Sequence, residues 1–152
     1  MMLNLKKLMS TFVKNSLNIF FFNKKYMKIR ISGESMHPNF LEGETYILKK
    51  TKSINFFNRF EPIIYFCKIH NKLHLKRLLA FSNEKLEIRK GKLYIDNRFI
   101  SYHKFGSVTF NILVCENSFF TFSDNFMTRG KNCDSFSVGS LNNDVIVGRI
   151  LD

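Results

Sequence analysis

The sequence predicts a mostly β protein, built as an antiparallel β-barrel or a folded sheet, with one short amphipathic helix at the N-terminus. Short apolar runs separated by turn residues extend from residue 28 to the C-terminus, which is the pattern of many short strands. Helical spacing of apolar residues is confined to residues 1–23. The length of 152 residues suits one domain, and the 45% apolar and 24% charged content indicates a folded chain.

Residues 1–23 form the predicted helix, because their apolar and polar residues separate onto two faces. The apolar face consists of Leu5, Leu8, Met9, Phe12, Val13, Leu17, Phe20 and Phe21, and the opposite face carries Lys7, Lys14, Asn15 and Asn18. The longest uncharged run there, Asn15 to Asn23, is far shorter than the roughly 20 apolar residues that cross a bilayer. We therefore predict that residues 1–27 are a basic amphipathic segment on the membrane surface, the alternative being a helix packed on its own domain.

The positive charge of the chain is concentrated near its N-terminus. The formal net charge is +12, which suits either nucleic acid or an anionic membrane surface as a partner. Residues 1–30 contain seven Lys and Arg residues and no acidic residue. This concentration beside an amphipathic segment favours a membrane surface, and no nucleic-acid partner is expected.

The strands are predicted within residues 28–152, which we interpret as one domain. Strands are expected at residues 28–31, 44–48, 62–67, 73–79, 99–103, 108–114, 119–122 and 145–150. Residues 85–95 are expected to form a hairpin that turns at Lys90-Gly91. Residues 51–61 are interpreted as a connection with an apolar face.

The cysteines and histidines indicate no cofactor. Three cysteines, Cys67, Cys115 and Cys133, are an odd number without metal-like spacing, so we expect neither a disulfide framework nor a metal site. The four scattered histidines, His37, His70, His74 and His103, are interpreted as surface or strand residues rather than catalytic bases.

A serine and a lysine are the strongest candidates for chemistry. Ser35 lies in a Ser-Gly-Glu-Ser-Met-His-Pro turn, where glycine lets backbone approach closely and Pro38 stiffens the chain. Lys76 lies in the apolar run Leu73 to Leu79, where burial lowers the pKa of an ammonium group. A neutral lysine can act as a general base, and a serine hydroxyl needs such a partner to become a nucleophile. The alternative is a solvated strand lysine.

Four ordered stretches resemble the type I signal peptidase family. Ser32 to Pro38 resembles its nucleophile box, and Leu41 to Lys49 resembles the strand that follows. Leu75 to Leu79 resembles the lysine box with the stretch to Asp96 after it, and Ser123-Asp-Asn125 with Asp134-Ser135 and Ile146 to Arg149 resembles the C-terminal box. The resemblance implies the signal peptidase I fold and a membrane-associated serine endopeptidase. Such an enzyme removes signal peptides from exported precursor proteins at the outer face of a bacterial cytoplasmic membrane.

The resemblance also implies a role for each site residue. Ser35 would be the nucleophile and Lys76 its general base, and the backbone of Ser35 and Gly33 would form the oxyanion hole. Ile31 and Leu75 would wall a shallow pocket for a small side chain. The supporting residues would be Arg77, Asp124, Asn125, Asp134 and Ser135. The chain departs from the family pattern at Ser123, Asn132 and Phe136, which stand for Gly, Ser and Arg, so we expect a short, divergent member.

Two other functions fit parts of the sequence. Self-cleaving repressors of the SOS type also use a Ser-Lys pair on a related β fold, but the C-terminal Asp-Asn box favours a signal peptidase. A non-enzymatic basic module for single-stranded nucleic acid would use the many Phe and Lys residues as a stacking groove.

Overall fold

The computed structural model describes residues 20–23, 25–101, 105–106, 108–128 and 133–151. The strands are β1 (Phe20–Asn23), β2 (Tyr26–Arg30), β3 (Thr45–Lys50), β4 (Pro62–Cys67), β5 (Lys72–Ala80), β6 (Lys85–Arg89), β7 (Lys92–Ile95), β8 (Arg98–Ser101), β9 (Phe110–Leu113), β10 (Ser118–Phe122), β11 (Leu141–Asn142) and β12 (Ile146–Leu151). Among the described residues, one short α-helix, α1 (Ser135–Val138), and three 3-10 turns (Ile54–Phe56, Phe126–Thr128 and Asn143–Val145) join them.

The strands form two antiparallel sheets. The larger has the order β1-β2-β3-β12-β4-β5-β10-β11, and the smaller has the order β8-β7-β6-β9. The predicted mostly antiparallel β class is therefore confirmed. Within the described residues both sheets are open at their edges, so the structure is the folded sheet of the prediction and no closed barrel.

The burial pattern explains why these residues form strands. In β2 and β12, buried and less buried residues alternate, because each strand places one face on the core. In β10 all five residues are buried, as expected for a strand covered on both faces. Residues 118–122 hold three of the chain's phenylalanines, and Phe120 packs against Phe110 and Phe136 from the smaller sheet and α1. These contacts join the two sheets around one aromatic core.

The prediction that the N-terminal helix extends to residue 23 is wrong. Residues 20–23 form β1, which pairs antiparallel with β2 as a hairpin. A short run of three phenylalanines fits either a helix or a strand, and pairing with β2 decides in favour of the strand. Residues 1–19 lie outside the described residues. β2 begins at Tyr26, so the predicted boundary between residues 27 and 28 falls inside this strand.

The expectation of no disulfide is also wrong. Cys67 at the end of β4 and Cys133 before α1 are joined as a disulfide across 66 residues, and Cys115 is free and exposed. An odd number of cysteines excludes complete pairing but leaves room for one pair. The pairing depends on contacts between distant segments, which spacing in the sequence does not reveal.

Candidate active site

The Ser35 loop is a closed turn at the end of β2. Its base is held by two backbone hydrogen bonds, from Ile31 N–H to Glu44 O (2.8 Å) and from Gly43 N–H to Ile31 O (2.9 Å). Met36 turns inward and is buried in the core, and its carbonyl accepts from Phe40 N–H at 3.0 Å. Because the Met36 side chain fixes the loop to the core, Ser35 lies half-buried just beyond the end of β2.

Lys76 lies in the middle of the large sheet and faces Ser35. It occupies β5 opposite Ile63 of β4, and only 1% of its surface is exposed. Its Nζ lies 2.7 Å from Ser35 Oγ and donates a second hydrogen bond to the carbonyl of Leu75 at 3.1 Å. Two candidate residues 41 positions apart are therefore in direct hydrogen-bond contact.

The surroundings of Lys76 favour its neutral form. Burial is the main cause that lowers the pKa of Lys76 from 10.5 to about 8, and the charge of Lys72 lowers it further. The carboxylates of Asp134 and Asp124 oppose this shift because they stabilise the ammonium form. The neutral form, which a general base requires, is therefore populated as the pH rises towards 8, well below the pKa of a solvated lysine.

Asn125 ties the segment after β10 to the Ser35 loop. Its backbone N–H donates to the carbonyl of Ser35 at 3.0 Å, and its side-chain amide donates to the carbonyl of Glu34 at 3.0 Å. Both hydrogen bonds are accepted by backbone carbonyls. They therefore fix the position of the Ser35 backbone and leave its hydroxyl free for other contacts.

An ion pair beside Asn125 links three elements. Arg77 of β5 donates to both carboxylate oxygens of Asp124, at 2.7 and 2.5 Å, and also to the carbonyl of Phe60 at 2.7 Å. The side-chain amide of Asn39, from the Ser35 loop, donates to the same carboxylate at 2.8 Å. The Asp124 side chain is 6% exposed, so this bidentate pair is largely shielded from water. The two predicted supporting residues thus connect the lysine strand with the serine loop.

Asp134 and Ser135 lie next to β10, the strand that pairs with the lysine strand β5. Both are buried, and Ser123 Oγ donates to a carboxylate oxygen of Asp134 at 2.9 Å. Ser135 Oγ accepts from the backbone N–H of Thr121 in β10 at 2.9 Å. Ser123, which departs from the family pattern, therefore supplies a hydrogen bond to a buried carboxylate. Phe136, another departure, packs edge-on against Phe110 and Phe120, and Asn132 lies outside the described residues.

The backbone around Gly33 and Ser35 differs from the predicted oxyanion hole in one detail. Gly33 has a positive φ of 85°, a conformation that favours glycine, and its N–H donates to the carboxylate of Glu42 at 3.1 Å. The N–H of Ser35 makes no hydrogen bond within the described part of the chain. Within the described residues, the Ser35 amide is therefore unbonded, while the Gly33 amide is engaged by Glu42.

An open cleft of about 200 Å³ adjoins the Ser35–Lys76 pair. Its lining includes Ile31 and Leu75, the two residues predicted to wall a pocket. The other apolar lining residues are Ile29, Met36, Ile64 and Leu73. The cleft therefore combines apolar side chains with the Ser35 hydroxyl, and its lining also contains the charged residues Arg30, Glu34 and Lys72.

Within the described residues, the hydrogen-bond partner of the Ser35 hydroxyl is Lys76. Burial, followed by the charges of Lys76 and Lys72, lowers the pKa of His74 to about 3. The structure does bring together one group that the sequence reasoning missed: Cys67, His70, His74 and Cys133. The Cys-x2-His-x3-His spacing within one hairpin was the signal that could have revealed it.

Comparison with known proteins identifies relatives of the chain. The family model described as signal peptidase, peptidase S26, matches residues 5–151. A crystal structure of a signal peptidase I from Enterococcus faecalis V583 matches with a TM-score of 0.54 and 21% identity, over 65% of this chain and 100% of that chain. Curated protein sequences give no match. In the part of the chain that the structure describes, no helix is long and apolar enough to span a membrane.

Proposed function

Because the chain belongs to the signal peptidase, peptidase S26, family, we propose that it removes N-terminal signal peptides from exported precursor proteins as a serine endopeptidase. Ser35 is the nucleophile and Lys76 is the general base. The observation that carries this assignment is the 2.7 Å separation of Lys76 Nζ and Ser35 Oγ inside a buried strand. In this family, a serine hydroxyl paired with a desolvated lysine serves as the nucleophile and general base of acyl transfer.

The reaction proceeds through an acyl-enzyme. Neutral Lys76 takes the proton of the Ser35 hydroxyl as Oγ attacks the carbonyl carbon of the scissile peptide bond. The resulting ammonium group then gives this proton to the leaving amine as the C–N bond breaks. Water, deprotonated by the same lysine, attacks the ester and releases the signal peptide with a free carboxylate.

The Ser35 amide stabilises the oxyanion of each tetrahedral intermediate. It is the backbone N–H beside the nucleophile without a partner in the described residues, whereas the Gly33 N–H is bonded to Glu42. For Gly33 to contribute, the exposed Glu42 side chain has to release it. Substrate that displaces this carboxylate would complete the oxyanion hole.

The precursor binds as an added strand. β10 pairs with Arg77, Leu78 and Ala80 of β5, so residues 72–76 lack a strand partner on that side within the described residues. An extended peptide at this edge places a side chain over Ile31 and Leu75, where the cleft accepts small residues. The edge also leads directly to Ser35.

The N-terminal segment supplies the membrane contact. Seven basic residues and no acidic residue in residues 1–30 favour anionic lipid headgroups, and apolar residues at helical spacing favour insertion at the membrane surface. The catalytic domain then faces exported precursors on the outer side of a bacterial cytoplasmic membrane.

Cleavage of a secretory precursor tests the proposal. We expect the purified protein to cut a precursor that carries a small-x-small sequence, directly after the second small residue, because the cleft over Leu75 is shallow. A matched precursor with Leu or Phe at this last position should be cut at least about tenfold more slowly. The measurement is the mass of the released peptide and its rate of formation. Equal cleavage of both precursors, or of neither, contradicts the assignment.

The activity should increase with pH. Because burial lowers the pKa of Lys76 to about 8, the base is protonated and inactive at low pH and becomes neutral as the pH rises through this value. The rate should therefore rise about tenfold per pH unit below about pH 7 and level off above about pH 9. Initial rates measured with one precursor across this range give the profile. A flat profile from about pH 5 to about pH 9 excludes a lysine base.

A further inference from the structure

Four side chains with metal-binding atoms meet beside the β4–β5 hairpin: Cys67, His70, His74 and Cys133. Each offers one sulfur or ring nitrogen, and these four atoms lie within 4.8 Å of one another. His70 Nδ1 lies 2.9 Å from Cys133 Sγ and 3.9 Å from Cys67 Sγ. Two sulfur and two nitrogen donors in so small a space are the donor set of a tetrahedral zinc site.

The fold brings three of these residues together through one hairpin. Cys67 pairs with Lys72, and Tyr65 pairs with His74, so Cys67 and His74 are diagonal neighbours on the same face of β4 and β5. His70 lies in the turn between the two strands. The separation of His70 and His74 by three residues is one that zinc sites use for paired histidines.

Cys133 reaches the hairpin from the segment before α1. Tyr65 contacts both this segment and the hairpin. Its hydroxyl donates to the carbonyl of Cys133, and its ring stacks on His74 at 6.1 Å between centroids. Cys133 is also buried, as are Cys67 and His74. These supporting contacts keep the donor atoms in place without occupying them.

An independent observation points to a ligand at this place. His74 is 9% exposed, and its Nε2 is buried without a hydrogen-bond partner in the described residues. A buried polar atom normally has a partner, and its absence is unfavourable. A cation bound through Nε2 of His74 would remove the deficit, whereas the disulfide between Cys67 and Cys133 leaves it unchanged.

We propose that Cys67, His70, His74 and Cys133 bind one divalent cation of the zinc class when the two cysteines are reduced. The same cysteines form the disulfide when they are oxidised. A dithiol reductant converts the second state to the first: it supplies two electrons and two protons, the S–S bond breaks, and the reductant becomes a disulfide. On metal binding, both thiols release their protons to solvent and the two thiolates balance the charge of the cation.

The bound cation has a structural role. All four positions of a tetrahedral ion are filled by protein, so the site has no open position for a substrate. It fastens the segment that contains Asp134 to the strand that contains Lys76, across 66 residues of chain. The proposal stands apart from the peptidase activity, since it depends only on these donors.

Cobalt binding to the reduced protein tests the site. Wild type, reduced with a dithiol reductant that is then removed, should bind one equivalent of Co²⁺ with the intense absorption of a tetrahedral thiolate complex, and Zn²⁺ should displace it. His70→Ala, an exposed position, and His74→Ala should each weaken binding at least about tenfold. Cys115→Ser is the matched control, because this exposed thiol is separate from the four donors, and it should bind as wild type does.

The outcomes separate a metal site from a disulfide alone. Oxidised wild type keeps the fold but lacks thiolates, so it should lose the cobalt absorption. Reduced wild type without a one-to-one complex overturns the proposal, as does unchanged binding by both histidine variants. Equal binding by the oxidised and reduced forms also overturns it. Circular dichroism of each variant shows whether the β structure is retained, and precursor cleavage is a separate readout whose failure leaves this result unaffected.

Discussion

Ser35→Ala is expected to lose precursor cleavage by about 10³-fold or more while it retains the fold. The substitution removes Oγ, the atom that forms the acyl-enzyme, and leaves the amide and the cleft in place. Ser35 is half-buried on a loop held by backbone bonds from Asn125, so the loss of one hydroxyl should not displace the loop. The rate of precursor cleavage and the urea midpoint of unfolding together distinguish lost chemistry from lost structure.

Lys76→Met is expected to match this loss. Methionine keeps the apolar volume of the buried stem but has no basic nitrogen, so Ser35 remains a weak nucleophile. The same change should leave stability unchanged or raise it, because an ammonium group is costly at a position only 1% exposed. The Ser35→Ala, Lys76→Met double variant should be no slower than either single variant, since the two residues act as one unit.

Two matched control variants test whether the loss of any serine hydroxyl or lysine ammonium group would lower activity. Ser82→Ala removes a hydroxyl that donates to Cys115 O at the surface, and Lys52→Met removes an exposed lysine from a loop. Both should cleave precursor within about twofold of wild type. Full activity in either Ser35→Ala or Lys76→Met would refute the dyad.

Asp124→Ala is expected to cause the largest loss of stability among the charge changes, about 3 kcal/mol. It leaves the Arg77 guanidinium, whose side chain is 19% exposed, without its bidentate partner, and it removes the acceptor of Asn39. Breaking a shielded pair costs more than the pair contributes, because the remaining charge stays desolvated. The free energy of unfolding in urea measures the effect.

The control for this prediction is Asp144→Ala. Asp144 is 61% exposed and lies 3.5 Å from an exposed Lys68, so its loss should change stability by less than about 0.5 kcal/mol. Replacing Arg77 and Asp124 together with leucines should recover part of the loss, because no unpaired charge remains. A similar loss for Asp124→Ala and Asp144→Ala would show that Arg77 is adequately solvated without its partner.

Much of the strand pattern was predictable from local sequence. The predicted strand at residues 62–67 has the same limits as β4, and the hairpin turn at Lys90-Gly91 falls between β6 and β7. Apolar runs bounded by turn residues carry this information because burial and turn formation are local properties. Elements that depend on packing were missed: β11 has two residues, α1 has four, and β1 reads equally as a helix.

The candidate site was predictable only as a set of residues. The family resemblance selected Ser35, Lys76 and the supporting residues, and the apolar neighbours of Lys76 indicated its burial. The engagement of the Gly33 amide by Glu42 and the hydrogen bond from Ser123 to Asp134 were not visible, since each joins residues through loop geometry rather than through pattern.

The β class, the order of the strands along the chain and the family follow from the sequence, as does the choice of Ser35 and Lys76 as the candidate reactive pair. The fold was needed to place Lys76 Nζ 2.7 Å from Ser35 Oγ and to bring Cys133 to the hairpin of Cys67, His70 and His74. These contacts depend on the register in which the strands pair. Strand pairing and loop closure bring together residues 41 to 66 positions apart, and these distances are set by the packing of the whole sheet.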